Sequence, residues 1–251
     1  MKDNVLGLKN APIVEAVIDI DCDLPVGSSL EALEMRAKEL FQDRYPKSQT
    51  LFMQAFQVEL NAIGPTGQST QKSVQAFQFL SEDGAQLVQV RSGGFSFNRL
   101  QPYTSFDDYL PEIQRTWKLY QALAAPVLVR KLQLRYINRI YLPVENKTVN
   151  LDDYFTVGPR LPDGKNLTLV GFLNQYVAIE SKTGHQITTV LTAEEMQGDR
   201  LPVIFDNAVS AAVAEDAANW ASLESKLLSL RELKNRVFQN TLGEPCLNLF
   251  R

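Results

Sequence analysis

Three aspartates, Asp19, Asp21 and Asp23, occupy every second position near the end of the segment IVEAVIDIDCDL at residues 13–24. Successive side chains of a β-strand point to opposite faces, so these carboxylates and that of Glu15 share one face of a predicted strand. Carboxylate oxygens are the ligands that Mg²⁺ and Ca²⁺ prefer, which makes a metal site one interpretation. We favour a solvated or ion-paired face, because no phosphate-binding loop lies beside these residues.

A second predicted strand carries the opposite charge. The segment KLQLRYINRIYL at residues 131–142 alternates apolar residues with four polar ones, Lys131, Gln133, Arg135 and Arg139. If the two strands lie side by side, Arg135 would form a cross-strand pair with Glu15 as first choice or Asp19 as second. A covered guanidinium needs such a partner. The alternative is an anion pocket, in which Arg135 and Arg139 bind a phosphate or carboxylate in the cleft between the two halves of the chain.

The other residues that could do chemistry favour structural roles. Asn138 lies on the apolar side of its strand, so its amide needs backbone partners. His185, the only histidine, lies in a predicted turn with no GxSxG motif and no second imidazole, which favours a solvated side chain over a catalytic one. Cys22 alternates with apolar residues and is predicted to lie in the core. We therefore predict no catalytic residue.

Composition restricts the classes of protein. The 251 residues are 45% hydrophobic and 22% charged, enough to bury a full core without disulfides or metals. The formal net charge of -4 argues against a protein that binds duplex nucleic acid. Cys22 and Cys246 are too isolated for a zinc site. The opening MKDNVLGLKN lacks the apolar core of a signal peptide, and no run is long enough to span a membrane, so we expect a cytoplasmic protein without a cofactor.

The candidate residues lie on elements whose order predicts an α+β fold. A strand at 13–24 precedes a helix at about 28–45. Three β-rich segments follow at 51–61, 73–81 and 86–99, and then a helix at 106–124. The helix at 106–124 has apolar residues at offsets of four and three, which indicates one buried face. Arg91-Ser92-Gly93-Gly94 is interpreted as a kink or bulge within the segment 86–99, because it lacks the spacing of a phosphate loop.

The order of elements then repeats. VEAVIDIDCDLP at 14–25 aligns with LQLRYINRIYLP at 132–143, and the same offset aligns Leu51 with Leu169. A hairpin at about 185–192 and 201–213 and a long helix at about 219–242 complete the second half. We predict two tandem β-α-β-β-β-α units, residues 1–126 and 127–251, with antiparallel sheets, helices packed on one face and both halves in one compact body.

Four phrases carry a resemblance to known proteins: LKNAPIVEAVIDI, FSFNRLQPYTSFDDYLPEIQRTWKLY, KLQLRYINRIYLP followed by NLDDYF, and LKNRVFQNTL. They resemble a family of uncharacterised, sporadically distributed bacterial proteins, and the block at residues 134–138, LRYIN, is the most specific. The resemblance implies a link to mobile or defence genes. It implies no activity, substrate or cofactor.

The absence of a nucleophile with a base, of an imidazole-containing metal set and of a cofactor motif predicts a non-enzymatic module that binds an unknown small molecule or protein. Its candidate binding residues are Glu15, Arg135, Asn138 and Arg139. The alternative is a metal-assisted enzyme that acts on a nucleotide or phosphorylated substrate, with the three aspartates of the first strand as metal ligands. The sequence leaves the oligomeric state open.

Overall fold

The computed structural model describes residues 8–61, 64–144, 148–163, 166–167 and 169–251, without the side chains of 55–61 and 64–71. Residues 1–7, on which most of the signal-peptide expectation rests, lie outside this description. The strands of the described residues are β1 (Ile13–Asp23), β2 (Lys47–Asn61), β3 (Gly64–Leu80), β4 (Gln86–Arg91), β5 (Gly94–Leu100), β6 (Leu128–Pro143), β7 (Leu173–Ile179), β8 (Gln186–Ala193) and β9 (Arg200–Asp216). The helices are α1 (Glu34–Phe41), α2 (Phe106–Ala124), α3 (Leu151–Tyr154), α4 (Trp220–Thr241) and α5 (Glu244–Asn248).

Within the described residues, nine strands form one antiparallel sheet in the order β2-β3-β4-β5-β1-β6-β9-β8-β7. β1 and β6 pair with each other near the centre, and each is flanked on its outer side by the last strand of its own half. This mixture of an antiparallel sheet and helices confirms the α+β class. No helix of the described part of the chain is both apolar and long enough to cross a membrane.

Helices cover one face of the sheet, called the covered face below, and the other is called the open face. The even-numbered core residues of β1, Ala16 to Cys22, are buried on the covered face together with the apolar sides of α2 and α4. Trp117 of α2 is fully buried, and its ring packs against Tyr120 and Phe95 with centroid distances of 5.4 and 5.7 Å. Aromatic side chains of this size contribute much of the apolar area that a core buries.

Helix α2 has the predicted bounds because both ends carry local signals. Ser105 lies at the N-cap, where its side chain accepts a hydrogen bond from the backbone N–H of Asp108 at 3.2 Å. The helix ends at Ala124, since Ala125 adopts a left-handed conformation with φ of 47°. Helix α4 begins in the same way, with the side chain of Asn219 accepting from the N–H of Ser222.

The sequence predicted a single strand at 86–99. The structure instead has a hairpin of β4 and β5, joined by a turn at Ser92 and Gly93. Gly94 has φ of +149°, and a Cβ atom there would lie 2.2 Å from the backbone oxygen of Ile20. Glycine therefore permits the close approach of β5 to β1. The first half has four strands after α1 rather than three, so β-α-β-β-β-α does not describe it.

Candidate functional site

On the open face, a ladder of amide side chains leads to Glu15. Gln49 donates to Gln78 at 2.5 Å, Gln78 donates to Gln89 at 3.0 Å, and Gln89 donates to Asn98 at 3.1 Å. Asn98 then donates to Oε1 of Glu15 at 2.6 Å. The predicted binding residue Glu15 is thus the final acceptor of a network that crosses five neighbouring strands.

The three aspartates of β1 also accept hydrogen bonds from neighbouring side chains. Asp19 accepts from Ser96 at 2.5 Å and from Gln133 at 3.2 Å. Asp21 pairs with Arg91 at 2.8 Å, and Asp23 pairs with Arg130 at 2.5 Å. The preferred interpretation of an ion-paired face therefore describes the contacts of this strand.

These aspartates do not converge as a metal site would require. Each carboxylate instead binds partners of its own, Asp19 with Ser96, Asp21 with Arg91 and Asp23 with Arg130, whereas the ligands of one Ca²⁺ all lie about 2.3–2.6 Å from the ion. Among the described residues, no group of three His, Cys, Asp or Glu side chains is arranged to hold a metal ion. The alternative that relied on Asp19, Asp21 and Asp23 as metal ligands gains no support from their geometry.

The partner of Arg135 is Asp206 of β9, not Glu15 or Asp19. Its Nε lies 3.0 Å from Oδ1 and its Nη2 lies 2.6 Å from Oδ2. The hydrogen bond to Asp206 raises the pKa of Arg135 above its usual value. The Arg135 side chain is 44% exposed, so its guanidinium is not a covered one.

The register explains the choice of partner. Val17 lies directly opposite Arg135, so Glu15 and Asp19 are both diagonal neighbours across β1. Those two carboxylates are engaged by Asn98 and Ser96 of β5. Asp206 is the diagonal neighbour on the other side, because it lies opposite Ile137 in the pairing of β6 with β9.

The four predicted binding residues lie on two faces of the sheet. Arg139 pairs with Glu194 at 2.9 Å on the open face, where Arg135 and Glu15 also lie. Asn138 is buried on the covered face, and as predicted its amide finds backbone partners, donating to the oxygen of Phe205 at 2.9 Å. The structure does not bring Asn138 into a common site with the two arginines.

A row of polar residues crosses the covered face at one level of the sheet. Ala16 is opposite Arg99 on one side and Tyr136 on the other, and the pairing continues from Tyr136 to Asn207 and from Asn207 to Thr189. Apart from the alanine, every member is buried and carries a polar group. A buried polar group costs stability unless it is hydrogen-bonded, so such a row inside a core needs an explanation.

This polar row coincides with a division of the hydrophobic core. The larger apolar cluster includes Leu134, Val209 and Leu230, and the smaller one includes Ile140, Phe205 and Phe238. Each of β6, β9 and α4 contributes residues to both clusters, and buried polar side chains lie between them. The two clusters are therefore separated on three neighbouring elements at the same place.

On α4 the residue at this division is Lys234. Its side chain is buried, with 7% of the residue exposed, and its Nζ lies 3.7 Å from the ring centroid of Tyr136. The attraction between an ammonium group and an aromatic face offsets part of the cost of burial. Asn207 donates to the backbone oxygen of Lys234 at 3.1 Å, which fixes this turn of the helix against β9.

Two amide oxygens near Lys234 remain unsatisfied. The Oδ1 atoms of Asn138 and Asn207 are buried and have no hydrogen-bond partner among the described residues. Both side chains use their Nδ2 groups on backbone oxygens, which fixes the orientation of each amide. Unsatisfied polar atoms are rare in native cores and tend to mark places with a role other than packing.

A cavity of about 530 Å³ opens beside this division. It is lined by β6, α4, the N-terminal end of α2 with the residues before it, and residues 8–13. Its lining includes Lys234, Asn138, Tyr136, Tyr103, Ser105 and Asp107. The carboxylate of Asp107 pairs with Arg231 at 2.7 Å, and Arg231 also lies over the ring of Phe106. The negative charge of Asp107 is thus balanced by a buried arginine of α4.

A second depression, of about 770 Å³, lies between the end of α1, the turn after β3 and α2. Its polar side chains bind one another. Arg115 donates to Glu112 at 2.6 Å, and the hydroxyl of Tyr45 donates to Glu112 at 2.8 Å. Burial raises the pKa of Glu112, but the hydrogen bonds from Arg115 and Tyr45 outweigh it, and the pKa lies below its usual value. We interpret this network as a clasp that joins α1 to α2.

The sequence analysis identified Asn138 but missed Lys234 and Asn207. A signal for both is present. Leu230, Lys234 and Phe238 follow each other at spacings of four, so the lysine occupies the apolar stripe of its helix. Asn207 likewise occupies an inward position of β9, between the buried Phe205 and Val209.

Comparison with known proteins does not assign the site, since no family model matches the chain and no curated protein is significantly similar to it.

Proposed function

We propose that this chain is a non-enzymatic binding protein that holds a small organic anion in the cavity between α2, α4 and β6. The observation that carries the proposal is the coincidence of three features. The core divides in two, polar side chains occupy the division, and a cavity opens beside it. The cavity volume of about 530 Å³ falls within the range of about 300–1,000 Å³ that is typical of small-molecule sites.

The charges favour an anion. Lys234 and Lys9 line the cavity, and of its two carboxylates Asp107 pairs with Arg231 and Asp108 accepts a hydrogen bond from Thr104 at 2.7 Å. Two ammonium groups on the lining attract an anionic group, which offers them both charge and hydrogen bonding. Tyr103 and Tyr136, whose hydroxyl groups lie 3.2 Å apart, offer aromatic surface for an apolar part of the ligand.

The two thiols support a role without covalent catalysis. Burial raises the pKa of Cys22 to about 11 and that of Cys246 to about 12. The reactive form of cysteine is the thiolate, so both side chains stay protonated and poorly nucleophilic at neutral pH. Each packs in one of the two apolar clusters.

The proposal is tested by thermal shift with a panel of anions, namely phosphate, acetate, benzoate and adenosine monophosphate. Saturation at a hundred times the dissociation constant stabilises a protein by about 2.7 kcal/mol. We expect at least one anion to raise the melting temperature of the wild type. The variant Lys234→Met should lose this response, whereas Lys226→Met, which removes a partly exposed lysine paired with Glu215, should keep it.

Native mass spectrometry of protein purified without denaturant should show a bound small molecule that Lys234→Met lacks. Without ligand, Lys234→Met should still unfold cooperatively, because methionine suits the apolar stripe. The proposal is wrong if no anion shifts the melting temperature, or if Lys234→Met responds as strongly as the wild type.

The wider setting is part of the same proposal. The central pairing of β1 with β6, and the placing of α2 and α4 after the last strand of each half, support a tandem duplication with halves 1–126 and 127–251. The extra strand of the first half would be a later difference between the units. Bacterial origin, a cytoplasmic location and a link to mobile or defence genes remain predictions from the sequence and its resemblance.

A further inference from the structure

Among the described residues, no strand pairs with the outer edge of the sheet at β7. The N–H of Glu180 donates to the oxygen of His185, and the N–H of Ala193 donates to the oxygen of Phe172. Because the pattern alternates along an antiparallel pair, the even-numbered residues of β7 bind β8, and the odd-numbered ones direct their N–H and C=O groups outward. The pairing runs from Leu173 to Ile179 without a bulge.

This edge lacks the features that keep sheet edges apart. Charged residues and prolines usually protect an edge strand from pairing with another chain. The strand LNQYVAI contains neither. Leu173, Val177 and Ile179 stand on the open face and are 71%, 61% and 70% exposed. An apolar stripe and a row of outward backbone groups therefore coincide on one strand.

The strand is complementary to itself. When two copies run antiparallel with Tyr176 on the two-fold axis, Leu173 lies opposite Ile179 and Gln175 lies opposite Val177. All four outward residues then form hydrogen-bonded pairs, and a shift of the register in either direction leaves some of them without a partner. The same pairing brings the apolar stripes of the two copies together.

We propose that β7 pairs with β7 of a second copy, joining two nine-stranded sheets into one continuous sheet across a two-fold axis. A peptide of another protein could use the backbone groups, but a second copy also supplies the matching apolar stripe, and its isologous pairing leaves no β7 edge open. The open faces of the two copies become one surface. The cavity proposed to bind an anion lies on the covered face, so the dimer does not depend on that proposal.

The test is the mass of the full chain in solution, measured by light scattering after size exclusion over a range of protein concentrations. The wild type should approach twice the 28.2 kDa of one chain as the concentration rises. Val177→Lys should be a monomer, because it places two ammonium groups diagonally across the axis. Adding Gln175→Glu to that variant should restore the dimer, since each new carboxylate then faces a new lysine.

A second measurement covers the case in which a variant does not fold. Hydrogen exchange of the wild type, followed by NMR, should show protection of the amides of Leu173, Gln175, Val177 and Ile179 that increases with concentration. The proposal is overturned if the wild type stays monomeric or if its odd-numbered amides are unprotected. It is also overturned if Val177→Lys folds and stays dimeric, or if the double variant stays monomeric.

Discussion

The two faces of the sheet hold their polar side chains in different ways. On the open face, polar side chains of neighbouring strands bind one another, as in the ladder that ends at Glu15 or the forked pair of Arg135 and Asp206, and among the described residues only single atoms of paired arginines there, Nε of Arg91 and of Arg139, are buried without a partner. On the covered face, polar groups interrupt an apolar core, and the oxygens of Asn138 and Asn207 remain without a partner in the described residues. The charged stripes that attract attention in the sequence thus form ion pairs and hydrogen bonds with residues of neighbouring strands. The inconspicuous polar residues of the core mark the proposed binding site.

The largest expected effect tests the apolar part of the covered face. Trp117→Ala should lower the free energy of unfolding by about 3–5 kcal/mol, because it removes a fully buried ring and leaves a cavity. Urea unfolding followed by circular dichroism measures this loss. The control is Trp220→Ala, since Trp220 only packs at the margin of the core, and its cost should be clearly smaller. Equal costs would contradict the described position of the core.

The next effect concerns the ladder of the open face. Asn98→Ala should cost about 1.5–3 kcal/mol, because Asn98 is buried and donates to the charged acceptor Glu15. Gln49→Ala, at the exposed far end, should change stability by about 0.5 kcal/mol or less. The same urea experiment compares them. If both variants cost the same, the ladder does not hold this face together.

The free energy of unfolding at acidic pH tests the contribution of the clasp between α1 and α2. The pKa of Glu112 is lower in the folded than in the unfolded chain, so its stabilising contribution is complete above the unfolded value near 4.5. That contribution is lost as the pH falls through the folded pKa. The unfolding free energy of the wild type should therefore decrease below about pH 4.5 more steeply than that of Glu112→Gln.

The matched control is Glu34→Gln, which removes an exposed carboxylate paired with Lys38 within one helix. This variant should retain the pH dependence of the wild type in that range. Parallel curves for the wild type and Glu112→Gln would show that the clasp contributes nothing to the acid response.

The smallest effect belongs to the ion pair of the open face. Arg135→Ala should cost about 1 kcal/mol or less, since the side chain is 44% exposed and solvent screens the pair. Adding salt should reduce the difference from the wild type further. A loss of about 3–5 kcal/mol, the cost of breaking a buried pair, would mean that Arg135 is covered after all and that the two faces are less different than described.

Local patterns predicted several elements well, because they depend on near neighbours, but the helix predicted at about 28–45 is confined to Glu34–Phe41, after a 3₁₀ turn at Glu31–Leu33. Alternation identified β1 and β6, and helical spacing identified α2 from residue 106 to 124. The turn between β4 and β5 was missed, since a kink and a tight turn place the same glycines in the same short segment. What distinguishes them is the position of Ile20 in another strand, whose oxygen excludes a side chain at Gly94.

Taken by itself, the sequence determined the α+β class, the faces of the strands and the need of Asn138 for backbone partners. All three follow from the period of the side chains along one strand or helix. Only the tertiary structure decided that Arg135 binds Asp206, because three carboxylates lie diagonal to it and two are already engaged by β5. It alone placed Lys234 beside Tyr136 and Asn138. Residues almost a hundred positions apart meet only when the helix packs across the strands.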